Sequence, residues 1–178
     1  MVPDVVFING SFGVGKTTVA MLLQAQLPGS RIYDPEWTGP WLRAVSRFVP
    51  LKGTGTDDFQ DFPLWRVSVV AGVRASRVLA RGPVLVPMTF YRLAYREQVA
   101  KGLQRAGLSM RSICLVASRA SIRARLRKRG DDPDGKWLSR KIERCLAAHG
   151  DPRFGEPVDT ERRTSEEVVE EIRRLLEL

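Results

Sequence analysis

Residues 5–20 read Val-Val-Phe-Ile-Asn-Gly-Ser-Phe-Gly-Val-Gly-Lys-Thr-Thr-Val-Ala, and they leave the chain few folds to choose from. Val5 to Ile8 is an unbroken β-branched and aromatic run, the pattern of a strand buried on both faces. Gly10 to Thr17 fits G-x-x-x-x-G-K-[ST], the phosphate-binding loop. Beyond Lys16, Val19, Leu22, Leu23 and Leu27 recur at helical spacing. Strand, glycine loop and helix thus follow in the order the motif requires. Gly10, Gly13 and Gly15 let backbone N–H groups face inward, and the helix N-terminus adds partial positive charge. Ser11, Phe12, Val14 and Thr18 complete the cradle. Lys16 has the reach for β- and γ-phosphates, and the Thr17 hydroxyl is the candidate Mg²⁺ ligand. The complete motif in its complete context disfavours the competing reading, a plain turn between strand and helix.

Four further strands are expected, at 30–33, 84–88, 112–116 and a short one ending at Val158-Asp159-Thr160. Helices are expected at 40–49, 63–80, 95–106, 119–129 behind an N-cap at Ser118, 137–148, and after a capping box of Thr164 with Glu167. Alternating strands and helices call for a parallel sheet covered on both faces. The predicted class is therefore α/β, a three-layer sandwich with a five-stranded parallel sheet, in one domain over 1–178. An excursion at 35–82 lies on the acceptor side, and a helical lid spans 118–140. The lid loop, 130–135, reads Gly-Asp-Asp-Pro-Asp-Gly. With no apolar residue to anchor it, it is expected to be disordered or open without nucleotide.

The formal net charge is +9, and the excess is uneven. Residues 63–118 carry nine basic side chains and one acid, Glu97; residues 119–144 carry ten basic and four acidic ones. A phosphate-handling protein uses a few such cations, and the rest read as solvated faces. No nucleic-acid-binding motif accompanies them, so no nucleic-acid partner is expected. Two cysteines, Cys114 and Cys145, make no disulfide framework, and a reducing cytoplasm is the default. No secretory signal and no run of roughly 18 apolar residues is present, which leaves peripheral contact as the possible membrane association.

Several side chains are placed to do chemistry. Asp34 precedes Pro35 at the carboxyl end of the second strand, where open α/β sheets bind ligands. It is a candidate general base or metal-facing acid, and equally a turn aspartate. Arg119, Arg123 and Arg127 share one helical row, with Arg125 and Arg129 in a second. Arg123 and Arg127 are the expected lid arginines; a basic solvent face is the alternative. Trp37, Trp41, Phe59, Phe62, Trp65 and Tyr91, with Gln60, Arg66 and Thr89, suit a nucleobase or sugar pocket. Most aromatics of this kind are core. The third strand ends Pro87-Met88-Thr89, without the acid that usually supports Mg²⁺. His149, before Gly150 at a helix end, reads as a C-terminal cap.

Together these stretches resemble the nucleoside, nucleotide and shikimate kinases of the P-loop fold. More closely, the chain resembles the bacterial tunicamycin resistance proteins, through residues 8–17, Tyr33-Asp34-Pro35-Glu36, Asp57-Asp58-Phe59-Gln60-Asp61-Phe62-Pro63-Leu64-Trp65-Arg66, Val86-Pro87-Met88-Thr89 and Lys141-Ile142-Glu143-Arg144-Cys145. The resemblance implies a kinase-like fold, ATP and Mg²⁺ binding, and a ligand, tunicamycin, that carries a uracil, sugars and an acyl tail. It also implies that Asp159 and Thr160 lie beside the adenine. Phosphorylation of the drug, its sequestration without modification, and phosphorylation of another small nucleoside-like molecule all remain compatible with these residues.

Overall fold

The computed structural model describes residues 2–35 and 58–178. Trp37 and the helix expected at 40–49 lie outside the described residues. Among the described residues, five strands and six α-helices alternate. They are β1 (Val5–Gly10), α1 (Lys16–Gln26), β2 (Arg31–Ile32), α2 (Pro63–Leu79), β3 (Val84–Pro87), α3 (Leu93–Arg105), β4 (Met110–Val116), α4 (Arg119–Lys128), α5 (Lys136–Ala148), β5 (Glu156–Asp159) and α6 (Ser165–Leu176), with 3₁₀ turns at Phe59–Asp61 and Pro152–Phe154. The strands pair in the order β2-β3-β1-β4-β5, and every pairing is parallel. Parallel strands need helical crossovers, and these place helices on both faces.

Strand alternation divides the core in two. Val5, Phe7, Val84, Val86 and Cys114 pack on one face against Trp65, Val69 and Val73 of α2 and Val99 and Leu103 of α3. Val6, Ile8, Leu85, Ile113, Leu115 and Val158 pack on the other against Val19, Ala20 and Leu23 of α1 and Val168, Val169 and Ile172 of α6. The sandwich therefore has the three layers that the sequence predicts. Helix ends follow the sequence closely: Ser118 Oγ accepts from Ser121 N at 3.2 Å, and Thr164 with Glu167 forms the capping box. β2, at the edge beside β3, is two residues long, shorter than the expected 30–33.

A small separate core forms where Ile122 and Leu126 of α4 meet Ile142 of α5, and Phe12 of the glycine loop packs against it. The expectation for 130–135 needs correction on one point: the loop has anchors. Pro133 is buried, and Asp134 binds Arg123 at 2.6 Å and Arg127 at 2.7 Å.

Candidate nucleotide and acceptor site

Residues 11–15 turn the chain from the carboxyl end of β1 into α1. Gly13 has φ 74°, and a Cβ there would stand 2.7 Å from Leu126 Cγ. Only glycine lets the loop press so closely on α4 in that conformation. Gly15, at φ 106°, is the N-cap of α1; no side chain caps the helix, and its first turn holds no acid. The open N–H groups and the dipole there favour an anion. Lys16 Nζ donates to Ser11 O at 2.9 Å and lies 5.6 Å over the Phe12 ring. Thr17 and Thr18 are exposed.

Over this loop opens a cleft of about 430 Å³. Gly13, Val14, Gly15, Lys16, Thr17 and Thr18 line one side; Arg125 and Arg129 of α4, Thr160, and Arg163 in the turn before α6 line the other. No acidic side chain lines it among the described residues. Glycine floor, helix N-terminus and three guanidinium groups fit a triphosphate, and the exposed Thr17 lines the same cleft. Arg125 Nη1 donates to Thr160 Oγ1 at 2.9 Å and Nη2 to Thr160 O at 2.5 Å, which joins the turn after β5 to α4. Thr160 also lines the cleft. Asp159 is exposed and accepts from Glu161 N at 2.9 Å.

The two arginine rows of α4 separate here. Arg123 and Arg127 turn to the lid loop, where Arg127, by hydrogen bond and charge, and Arg123 hold the Asp134 carboxyl below its usual range. The other row, Arg125 and Arg129, faces the phosphate cleft. The sequence showed both rows; the choice between them depends on the side of α4 that meets Gly13.

Glu161 fastens the same turn to the root of the lid. Its carboxylate accepts from Ser118 N at 2.7 Å, Ser118 Oγ at 2.9 Å and Ser121 Oγ. These bonds, Ser121's first, bring its pKa down to about 2. A carboxyl lowered on folding stabilises the fold above its unfolded value, here 4.5, and that contribution is lost as pH falls towards 2. Glu161→Gln is therefore expected to lower Tm at pH 7, with the gap to wild type closing between about pH 4.5 and pH 2. Thermal melts across that range measure it.

Asp34 follows β2 at the same edge of the sheet, two strand spacings, or about 10 Å, from β1. Burial first, and then the charge of Asp34, push the Tyr33 phenol up. The other predicted acceptor residues divide. Phe62 packs partly buried on the core, and Trp65 is 4% exposed within it. Arg66 is buried, donates to Gln60 O and to Gln98 Oε1 at 2.6 Å, and stacks 4.3 Å over Tyr95. Phe62, Trp65 and Arg66 are thus packed into the protein beside Gln60 rather than open to solvent. Phe59 opens the 3₁₀ turn, next to Gln60. Gln60 Nε2 donates to Thr89 O, while Gln60 Oε1, Thr89 Oγ1 and Ser11 Oγ are buried without a partner. Such atoms at the carboxyl edge of a parallel sheet mark a place for ligand.

Sequence reasoning missed a buried cluster beside them. Lys141 Nζ lies 2.6 Å from Asp58 Oδ2 and 2.7 Å from Tyr91 Oη, and Tyr91 Oη donates to Asp58. A signal existed: Lys141 interrupts the stripe Leu138, Ile142, Cys145 on the inner face of α5. His149 is the C-cap of α5, with Nε2 2.7 Å from Phe90 O, and burial lowers its pKa. Burial also pushes the Cys114 thiol up to about 12, which excludes it as a thiolate nucleophile at neutral pH. Among the described residues, no group of three His, Cys, Asp or Glu side chains could hold a metal, and no helix is long and apolar enough to cross a membrane.

Known structures share this arrangement over nearly the whole chain. The tunicamycin resistance protein of Deinococcus radiodurans superposes with a TM-score of 0.77 at 28% identity, covering 99% of this chain and 96% of that one. A gluconokinase from Sinorhizobium meliloti gives 0.67 at 18% identity, covering 99% and 95%. The APS kinase of Mycobacterium tuberculosis, in complex with AMPPNP and APS, gives 0.65 at 18%, covering 99% of each chain. The last two show the fold alone. No curated protein sequence matches. The family model described as AAA domain matches residues 5–152. With that match over most of its length and a phosphate-binding loop in place, the chain belongs to the AAA domain family, in a P-loop kinase-like form.

Proposed function

We propose that the protein is an ATP- and Mg²⁺-dependent phosphotransferase that acts on a hydroxyl of tunicamycin or a closely similar nucleoside-like molecule. The observation that carries this reading is the cleft in which Gly13 to Thr18 face Arg125, Arg129 and Arg163. The 28% identity to a tunicamycin resistance protein over the whole chain supports the choice of acceptor. Within one domain, 35–82 supplies the acceptor side and 118–140 the lid. The cytoplasm is the expected site of action.

Bound ATP supplies the phosphoryl group, with Mg²⁺ neutralising charge on its oxygens. The chain's residues do the rest. The backbone of residues 13–18 orients the phosphates, and Lys16 turns from Ser11 O towards them. Thr17 would hold the metal, and Arg125 and Arg129 would stabilise charge on the transferring group. Asp34 accepts the proton of the acceptor hydroxyl. Phe12, packed on α4 and α5, lets the lid sense the loop and exclude water. Arg123 and Arg127 join the site only by leaving Asp134.

Arg125→Ala is therefore expected to reduce transfer about 10²-fold, the scale of one lost charge-stabilising donor. Arg123→Ala with Arg127→Ala is expected to cost less, and to act on transfer more than on ATP binding. Calorimetry with ATP-Mg²⁺, followed by turnover, ranks the two. A second reading, in which the protein binds ATP to order a pocket and sequesters the drug, is favoured by Thr89: a hydroxyl ends the segment where a kinase would hold a metal-supporting acid. ADP release separates the readings. Release that depends on tunicamycin is expected of the phosphotransferase; release indifferent to the drug goes against it.

A further inference from the structure

We propose that Asp58, Tyr91 and Lys141 form a charge-cancelled brace that restricts the acceptor site to an uncharged molecule, whose hydrogen-bonding edge is taken by Gln60 Oε1 and Thr89 Oγ1. The inference rests on the acceptor side assigned above and names the chemistry it selects.

The brace joins three segments that meet at the carboxyl edge of the sheet. Asp58 precedes the 3₁₀ turn, Tyr91 follows β3, and Lys141 belongs to α5. The Lys141 and Asp58 side chains are 8% and 11% exposed, at 2.6 Å. Lys141 Nζ also lies 4.8 Å over the Tyr91 ring and 5.8 Å over Trp137, whose ring packs edge-on to Phe12 of the glycine loop at 5.8 Å. Buried charges persist when they are paired and hydrogen-bonded, and this pair is both. The other cations on this side are also committed or outside. Arg66 serves Gln60 O and Gln98, Arg92 lies 3.0 Å from Asp61, half-buried Arg96 donates to Ser112 Oγ of β4 at 3.1 Å, and exposed Arg144 lies 5.8 Å over the Tyr91 ring. Among the described residues, no buried acceptor-side cation is left for a carboxylate or phosphate.

The brace also fixes the recognition pair. Asp58 Oδ1 accepts from Gln60 N at 3.0 Å, and Arg66 takes Gln60 O. Gln60 Nε2 must be the atom that faces Thr89 O, because two carbonyl oxygens would repel. Gln60 Oε1 is thereby set as an acceptor with no donor, beside a Thr89 hydroxyl that is 1% exposed and also unpartnered. An uncharged edge with an N–H or O–H donor satisfies the first, and a neighbouring carbonyl or hydroxyl the second. A ring imide and a pair of sugar hydroxyls share this chemistry.

The test is calorimetry with the nucleotide site filled by AMPPNP-Mg²⁺, using tunicamycin as the uncharged ligand and uridine 5′-monophosphate as the anionic one. Wild type is expected to bind tunicamycin and to hold the monophosphate at least about tenfold more weakly. Asp58→Asn uncovers the charge of Lys141 and should raise monophosphate affinity about tenfold while weakening tunicamycin. Lys141→Met should weaken the monophosphate further. The double variant, with no buried charge, should regain the wild-type order of preference. AMPPNP affinity, expected to be unchanged in all, reports the fold. A purely structural pair would move both ligands together. Equal affinities in wild type, an unchanged ratio in Asp58→Asn, or no binding of tunicamycin would each overturn the proposal. Binding in the expected order without phosphoryl transfer would leave the brace standing and remove the transferase reading.

Discussion

Lys16→Ala is expected to abolish ATP-dependent function while leaving the fold intact. Lys16 reaches over the glycine loop, with Nζ on Ser11 O at 2.9 Å, and its side chain belongs to no hydrophobic cluster. Substitutions of that kind usually change stability by about 0.5 kcal/mol or less. Its charge is the one cation built into the loop itself, and removing one such electrostatic donor costs about 10²–10³ in rate. Nucleotide affinity should fall with it, because the ammonium attracts phosphates in the ground state as well. Thermal melts and ATP calorimetry on the same preparation separate the two effects. Wild-type ATP affinity and turnover in the variant would contradict the phosphate-loop assignment.

Asp34→Asn should produce a different profile. The amide keeps the shape at the end of β2 and loses the proton-accepting charge. Loss of a general base costs about 10²–10⁴ in rate. ATP affinity should hardly change, since Asp34 stands two strands from β1 and does not line the phosphate cleft. Tyr33 gives an independent readout: with the neighbouring charge gone, its raised phenol pKa should move back towards the ordinary value. A turnover number unchanged from wild type would make Asp34 a turn residue and nothing more.

Periodicity carried the sheet. Val5 to Ile8 and Val84 to Val86 are buried on both faces, so their sequence is apolar throughout and legible as strand. Capping chemistry carried the helix ends, because Ser118 and Thr164 satisfy backbone groups within their own segments. The lid arginines were harder. Arg123 and Arg125 lie 200° apart around an ideal helix, about 100° per residue, and local sequence treats their rows alike. The choice comes from Ile122 and Leu126, which pack beside Phe12 while Gly13 lets the loop approach. Trp65 and Arg66, read as pocket residues from their neighbours, are both buried, Trp65 in the core and Arg66 against Gln60 O. The Asp58, Tyr91 and Lys141 cluster was the least legible part, since its members are 33 and 50 residues apart in sequence and meet only in the folded chain.

The central claim is transfer of a phosphoryl group to the drug, and the mass of the drug tests it most directly. Protein, ATP and Mg²⁺ are incubated with tunicamycin, and the recovered drug is weighed by mass spectrometry. The expected result is tunicamycin heavier by one phosphoryl group, dependent on ATP and Mg²⁺ and absent with Lys16→Ala. Drug recovered unmodified from a protein that binds it tightly in the presence of ATP would contradict the phosphotransferase and establish sequestration in its place.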